Sequence, residues 1–473
     1  MKTIFISLSS LSVYRNLFFF PESVFALLKE WLRADPDTRV VVIIPLPFRD
    51  KYGPLVADED LMRQGRFIVE IADVSTKKNF LQQIFYFFSS YLIFTGTTKI
   101  MATMGARPDE PPAGGRWYLA PLKSAIARTL GRSAWIKRRA VPWLWMRVFP
   151  ERPFTALFEQ YHPDIVFAPH LYGWFDTMLI GEAQRRGIST LGMPAGWDHL
   201  DKHFLPLHAD RLLVPSGQVR RMALEHQAYL PEQIEIVGFP YFDFITRKEY
   251  LRPRADVLRQ LGFGESAQYI LYVSGSAYCP DEPDIIGEML AWADQGKFGE
   301  RDVRLVIRPY QGGRKQDKQF DMQKFNRFET HPRVVFYRQE FWGDAEQSEY
   351  FLNILAHADV VMGIYTTMLI EAAALDRPLV APAFDGYHQR PYHRSIRRFE
   401  EFDHFREVLA SGAVQTARSF DDLLAMLRRY LENPAADAAE RQVLRDRVCF
   451  RLDAKASERI LAEIMKGFLS EAS

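Results

Sequence analysis

The sequence predicts an α/β protein of two doubly wound domains followed by a C-terminal helical segment. Three observations carry that expectation. Short runs of Val, Ile and Leu alternate with helical patterns along most of the 473 residues, and strands apolar on both faces belong to parallel sheets covered by helices. The length suits two domains of ordinary size. At Gly238–Asp243 a glycine and a proline interrupt both periods, which marks a boundary. The expected divisions are 1–238, carrying a basic insertion at 74–150, then 239–418, and helices over 419–473.

The elements follow in order. Thr3–Leu8 reads as a first strand entering a Ser-rich loop. It resembles a short signal peptide, but no small-residue cleavage site follows it. An amphipathic stretch at Pro21–Arg33 precedes the β-branched run Arg39–Pro45, and Phe67–Val74 is a third strand. After the insertion come strand Ile165–Pro169, helix Phe175–Arg186, strands Ser189–Met193 and Arg211–Pro215, helix Gln218–Gln227 and strand Ile234–Val237. Beyond the boundary the expected strands are Tyr269–Val273, Val303–Ile307, Val334–Tyr337, Asp359–Met362 and Leu379–Ala381. Helices Asp284–Ala293, Ser348–His357 and Met368–Leu375 separate them. Ser419–Ser470 reads as helix with one break near Asn433–Pro434.

Composition excludes several classes. The two cysteines, Cys279 and Cys449, are far apart and match no histidine pattern, which argues against a disulfide framework or structural zinc and fits a reducing compartment. His199, His203 and His208 are spaced four and five apart, but Pro206 breaks any shared helix, so no metal is expected. No run of eighteen apolar residues occurs. The net charge of +1 hides a basic segment: residues 74–150 carry twelve Lys and Arg against Asp109 and Glu110, with four of the nine tryptophans. Basic charge mixed with tryptophan suits an anionic, partly apolar partner such as a membrane surface. Nucleic acid is the competing partner for such a patch, but no nucleic-acid motif accompanies it.

Ligands of doubly wound sheets bind at the carboxyl ends of the strands. There the second domain offers Ser274 and Ser276 in "SGSAY", Arg308 in "VIRPYQGG", and Tyr365, Thr366 and Thr367 in "ADVVMGIYTTMLIEAAALDRPLVAP". A helix start with threonines favours a phosphate through free amides and the dipole. Glu371 lies one turn further along, where a carboxylate can accept hydrogen bonds from both hydroxyls of an attached ribose. The plainer alternative is an ordinary cap, with Glu371 paired to Arg377 at the surface.

Those three segments, in that order, resemble the nucleotide-binding half of GT-B glycosyltransferases. The similarity is to the branch that holds CDP-glycerol glycerophosphotransferases and capsule-type glycosyltransferases. "GFPYFD" resembles that branch's interdomain segment, and "GMPAGWDHLDKHFLPLHADRLLVPS" its W-D/H-N/G loop. The likeness covers roughly Asp164–Pro382. It implies two Rossmann-like domains facing a cleft and a metal-independent transfer from a nucleotide-activated sugar, a substrate rather than a cofactor. The acceptor would be a cell-surface glycan or lipid-linked molecule, and the enzyme cytoplasmic or peripheral at the inner face of the membrane. Polyol-phosphate transfer from a CDP-alcohol, hydrolysis and 2-epimerisation remain alternatives on the same fold. The family's His-Pro is Arg308-Pro309 here, and Trp-Asp-Asn becomes Trp197-Asp198-His199.

A transfer with inversion needs a base within reach of the acceptor hydroxyl. The candidates are His170, Asp176, Asp198 and His199, and the last pair, in the loop most like the family's, is preferred at this stage.

Overall fold

The computed structural model describes residues 1–103, 117–310, 317–338 and 345–467. The chain divides into two compact units. The first comprises Met1–Thr95, Pro121–Phe244 and the chain from Phe450 onward; the second comprises Gly96–Ala120 and Ile245–Cys449.

The first unit holds seven strands: β1 (Lys2–Ser7), β2 (Thr38–Pro45), β3 (Phe67–Ala72), β4 (Ile165–Ala168), β5 (Ser189–Gly192), β6 (Arg211–Val214) and β7 (Ile234–Ile236). They form one parallel sheet in the order β3-β2-β1-β4-β5-β6-β7. The second unit holds β8 (Gln268–Val273), β9 (Val303–Arg308), β10 (Val334–Phe336), β11 (Val360–Gly363), β12 (Leu379–Pro382) and β13 (Val414–Ala417). Its parallel order is β10-β9-β8-β11-β12-β13. Each sheet reverses its winding once, between β1 and β4 in the first unit and between β8 and β11 in the second. At such a switch the loops leaving two neighbouring strands diverge to opposite faces and open a crevice. The central strands are buried on both faces, as their apolar runs require: Val40 to Ile44 and Tyr269 to Tyr272 have no exposed surface.

The expected strands are all present, with ends shifted by a residue or two. Two elements differ from the expectation. The stretch before Pro21 carries a helix of its own, Leu11–Leu17, capped by Ser10. A sixth strand, β13, closes the second sheet where no strand was expected; its Gln415 and Thr416 are half-buried and dilute the apolar signal.

The C-terminal helices do not form a separate segment. Phe420–Glu432 packs its apolar stripe, Leu423, Leu427 and Tyr430, into the second unit's core. Ala438–Leu444 is tied there too, because buried Arg441 pairs with Asp376, which stands in the left-handed region at φ 56°. Ala456–Lys466 belongs instead to the first unit, with Ile460 and Ile464 in its core. The segment "GFPYFD" explains that docking. Asp243 accepts from the Ala456 and Ser457 amides at 3.0 and 2.7 Å, capping the helix from 213 positions upstream. The first unit therefore runs through Phe244 rather than ending at Gly238. Among the described residues, no helix is long and apolar enough to cross a membrane.

The basic insertion is sorted by the fold into buried and exposed parts. Arg107 and Arg116 lie outside the described residues. Trp145 is fully buried, whereas Trp135 and Trp143 are exposed. Lys137 is buried as well, its ammonium donating to the His226 carbonyl at 2.7 Å. The insertion is thus not a uniformly exposed docking surface: a helix with a packed side must place some of its basic and aromatic residues inward.

Candidate active site

In the first unit the switch point brings together residues far apart in sequence. Ser7 ends β1, Ser9 follows it, His170 follows β4, and Asp176 lies in the first turn of helix Trp174–Arg185. Asp176 has no exposed surface and accepts hydrogen bonds from the hydroxyls of both Ser7 and Ser9. Burial pushes its carboxyl up to about 7, against the opposing effect of the two serines. Ser9 Oγ also lies 3.3 Å from His170 Nδ1.

A hydroxyl carries one proton. With the Ser9 proton directed to Asp176, His170 Nδ1 must donate, and the lone pair of the neutral ring then sits on Nε2. The chain Asp176–Ser9–His170 thereby fixes the tautomer of a potential base. Burial first, and His203 second, lower the His170 imidazolium to about 4, so the ring is neutral at pH 7. Gly173 makes the closure possible, since a Cβ there would stand 2.9 Å from His170 Nδ1 and 3.2 Å from Asp176 Oδ2.

Ser9, His170 and Asp176 line a cavity of about 540 Å³ together with Pro45, Phe48 and Trp174. That is the size of a small-ligand site.

Asp198 and His199, in the loop after β5, lie beside this group but in a different state. Lys202 forms an ion pair with Asp198, and His199 Nε2 is 3.7 Å from the same carboxylate. His199 Nδ1 is buried without a hydrogen-bond partner, and burial lowers the ring to about 3. Tyr172 connects the two parts, with its ring 4.3 Å from both His170 and His199 and stacked on His203 at 4.9 Å. The four candidate residues are therefore neighbours, but only His170 and Asp176 border the cavity. The cavity is thus bordered by His170 and not by the Asp198–His199 pair that the sequence favoured. Ser7, Ser9, Tyr172 and Lys202 are not singled out by sequence; the Ser-rich loop after β1 is a signal for the two serines alone.

In the second unit the donor candidates also gather at the switch point. Register places Val273 beside both Arg308 and Gly363, so the ends of β8, β9 and β11 form one row. Ser274 is buried; its amide donates to the Arg308 carbonyl at 3.0 Å and its hydroxyl accepts from the Tyr310 amide at 2.9 Å. Ser276 follows, half-buried. The Arg308 guanidinium is buried over the Phe351 ring, 4.7 Å from its centroid. Gly363 can only be glycine, because a Cβ would meet Thr366 Cγ2 at 2.7 Å and the Val273 carbonyl at 3.0 Å.

Two expectations change here. The amides of Met368, Leu369, Ile370 and Glu371 already donate to Thr366 Oγ1 and to the Thr366 and Thr367 carbonyls. The helix, Met368–Ala374, is also only seven residues long. The four amides from Met368 to Glu371 are therefore already occupied and do not form a free cradle for a phosphate. Tyr365, at φ 44°, directs its hydroxyl to Glu400 at 3.1 Å. Glu371 is buried, which removes the surface pairing with Arg377.

Beneath the "SGSAY" loop lies a buried ion pair that the sequence did not reveal. Lys324 Nζ is 2.5 Å from Glu282 Oε2 and donates to the Gly275 carbonyl at 2.7 Å, while the Gly275 amide donates to Glu282 Oε1 at 2.8 Å. Both charges are enclosed, so the loop is clamped through its backbone.

Residues 322–466 match the family described as CDP-glycerol:poly(glycerophosphate) glycerophosphotransferase. The fold agrees with solved structures over nearly the whole chain. The chain has a fold of the GT-B type. A Listeria monocytogenes protein described as a UDP-N-acetylglucosamine 2-epimerase aligns at TM-score 0.55 and 14% identity, over 99% of this chain and 97% of that one. The UDP-GlcNAc 2-epimerase of Neisseria meningitidis, solved bound to UDP-GlcNAc, aligns at 0.55 and 11%, over 98% and 100%. A glycosyltransferase from Rickettsia africae aligns at 0.50 and 11%, over 98% and 99%. At such identities the likeness speaks for the fold. No curated protein matches the chain by sequence.

Proposed function

We propose that this protein transfers a glycosyl or polyol-phosphate group from a nucleotide-activated donor to a hydroxyl of a cell-surface polymer or its lipid-linked precursor. The observation that carries the reading is the hydrogen-bonded chain Asp176–Ser9–His170 on a small-ligand cavity, in a chain whose residues 322–466 match the glycerophosphotransferase family. The family match favours the polyol-phosphate branch and a CDP-linked donor.

In the reaction the acceptor oxygen attacks the donor's carbon or phosphorus, and His170 Nε2 takes the hydroxyl proton. The bond to the leaving phosphate oxygen breaks, and the nucleotide departs with that electron pair. Ser9 and Asp176 stabilise the imidazolium that forms, because the Nδ1 proton already points along the chain to a carboxylate. Arg308 and the clamped Ser274–Ser276 loop bind the donor phosphates, and Glu371 binds the ribose hydroxyls.

Glu371→Ala should weaken binding of the donor nucleotide by about 1.5–3 kcal/mol, the scale of hydrogen bonds to a charged group. Calorimetric titration of wild type and variant with CDP-glycerol, CMP, UDP and UDP-GlcNAc checks this and selects the base. Unchanged affinity in a folded variant would remove Glu371 from the site.

The protein also docks on anionic membrane, in this reading, through a face narrower than the whole insertion. Phe80, Leu81, Ile84 and Phe88 are exposed along helix Phe80–Ser89, and Trp143 and Leu144 are exposed on helix Val141–Val148, which packs against it. Exposed Lys77, Arg139 and Arg147 accompany them. Apolar rings for the interface and cations for the headgroups are what such contact needs. Phe88→Ser with Trp143→Ser should cut flotation on phosphatidylglycerol vesicles several-fold; equal flotation would assign the face another partner.

A further inference from the structure

A second cavity in the first unit, about 480 Å³, shares no lining residue with the one beside His170. Arg128, Arg132, Lys137 and Arg138 line it, with Glu225 as its one carboxylate. Glu225 lies 3.9 Å from Arg221 of its own helix. Arg128 and Arg132 make no side-chain hydrogen bond or ion pair among the described residues, and Arg138 only reaches its own helix at the Ala134 carbonyl, 3.5 Å away.

Lys137 is the most telling of the four. It is 4% exposed, and one neutral carbonyl, that of His226, is its only hydrogen-bond partner among the described residues. A buried ammonium without a carboxylate is costly, and two of its three donors remain available. The helix is distorted where this happens: Ile136–Ala140 is a π-turn within the helical run that continues as Val141–Val148. Such turns are rare and concentrate at functional sites. Gly131 adds a close approach, since a Cβ there would stand 2.3 Å from the Leu92 carbonyl. Only glycine therefore allows the turn carrying Arg132 to pack against the chain at Leu92.

We propose that this cavity is a binding site for a phosphate ester, held by Lys137 and the three arginines, with the apolar lining at Leu92, Ile93 and Phe94 taking the organic part. The guanidinium groups supply forked donors to phosphate oxygens and Lys137 supplies the enclosed charge. The site is separate from the donor residues of the second unit and does not depend on the transfer chemistry. Its source of phosphate is either a soluble ester or a lipid headgroup.

Two probes separate these sources: glycerol 3-phosphate by calorimetry, and vesicles of phosphatidylglycerol and phosphatidylcholine by flotation. The variants are Arg132→Glu and Arg128→Glu, both exposed positions, with Arg63→Glu as a control that is exposed in the same unit but outside both the cavity and the docking face. A tenfold or greater loss of glycerol 3-phosphate binding in Arg132→Glu and Arg128→Glu, but not in Arg63→Glu, establishes a soluble ester. The same pattern in flotation alone establishes a lipid headgroup. If neither probe binds wild type, or if Arg63→Glu loses as much as Arg132→Glu, the cavity is not a phosphate site. Nucleotide binding measured in the same variants should stay within twofold, which keeps this outcome distinct from failure of the donor assignment.

Discussion

Replacing His170 with alanine should lower turnover by about 10²–10⁴-fold, the contribution of a positioned general base, while leaving affinity for the donor nucleotide unchanged. The expectation rests on the direction of the hydrogen-bonded chain. Ser9 and Asp176 hold Nδ1 protonated, so Nε2 is the acceptor. Ser9→Ala should then cost less than His170→Ala, because the ring remains but its tautomer is no longer selected. The pH profile separates a base from a merely structural histidine. With the ring lowered to about 4 by burial, its protonation should not limit the rate until the pH falls well below 6. A His170→Ala protein that folds and keeps more than a tenth of wild-type turnover would transfer the role to another group.

Acid should destabilise the first unit selectively, and steeply. His170, His199 and His208 are lowered to about 4, 3 and 4, in each case by burial first. An unfolded histidine titrates near 6.5. These folded values are depressed, so below about pH 6.5 the unfolded chain binds more protons than the folded one. Their stabilising contribution is complete above pH 6.5 and is lost as the pH falls toward 4. Each ring costs up to about 1.4 kcal/mol per pH unit in that window, so three cost up to about 4.

Asp176 opposes them. Its folded value is raised to about 7 from an unfolded value near 4, so its contribution is complete below about pH 4 and is lost as the pH rises through 7. One carboxyl offsets one histidine, and the net loss is up to about 3 kcal/mol per unit, large against a typical stability of about 5–15 kcal/mol. All three rings lie in the first unit. Urea unfolding at pH 7 and pH 5 should show the first unit's transition moving to lower urea while the second unit's moves little. His208→Gln should flatten the dependence by about one proton. A midpoint that is the same or higher at pH 5 would mean that these rings titrate normally.

How much of this was legible in the sequence depends on the range of the interaction concerned. The runs Val40 to Ile44 and Tyr269 to Tyr272 announced buried parallel strands because their environment is apolar on every side, whatever the neighbouring strand. Arg308 and the Tyr365–Thr367 turn were located at strand ends by local pattern alone. β13 was missed because an edge strand needs apolar side chains on only part of its surface. The helix Ala456–Lys466 was assigned to a separate segment because its cap, Asp243, lies 213 positions away.

The candidate site divides along the same line. Residue type and strand position nominated His170 and Asp176, helical spacing nominated Glu371, and the resemblance of their loop favoured Asp198 and His199. Only the tertiary structure shows what surrounds them, since the serines that orient His170 and hold Asp176 come from β1 and its loop, 161 to 169 positions upstream. Likewise, the sequence shows a basic stretch with tryptophans, and a stretch of charge has no inside or outside until it is packed. Folding buried Lys137 and Trp145, left Trp143 and Arg132 exposed, and so made one segment into an apolar face and a cationic cavity. Periodicity reports how a residue stands toward its own helix or strand; which distant group it meets depends on the order in which the strands assemble.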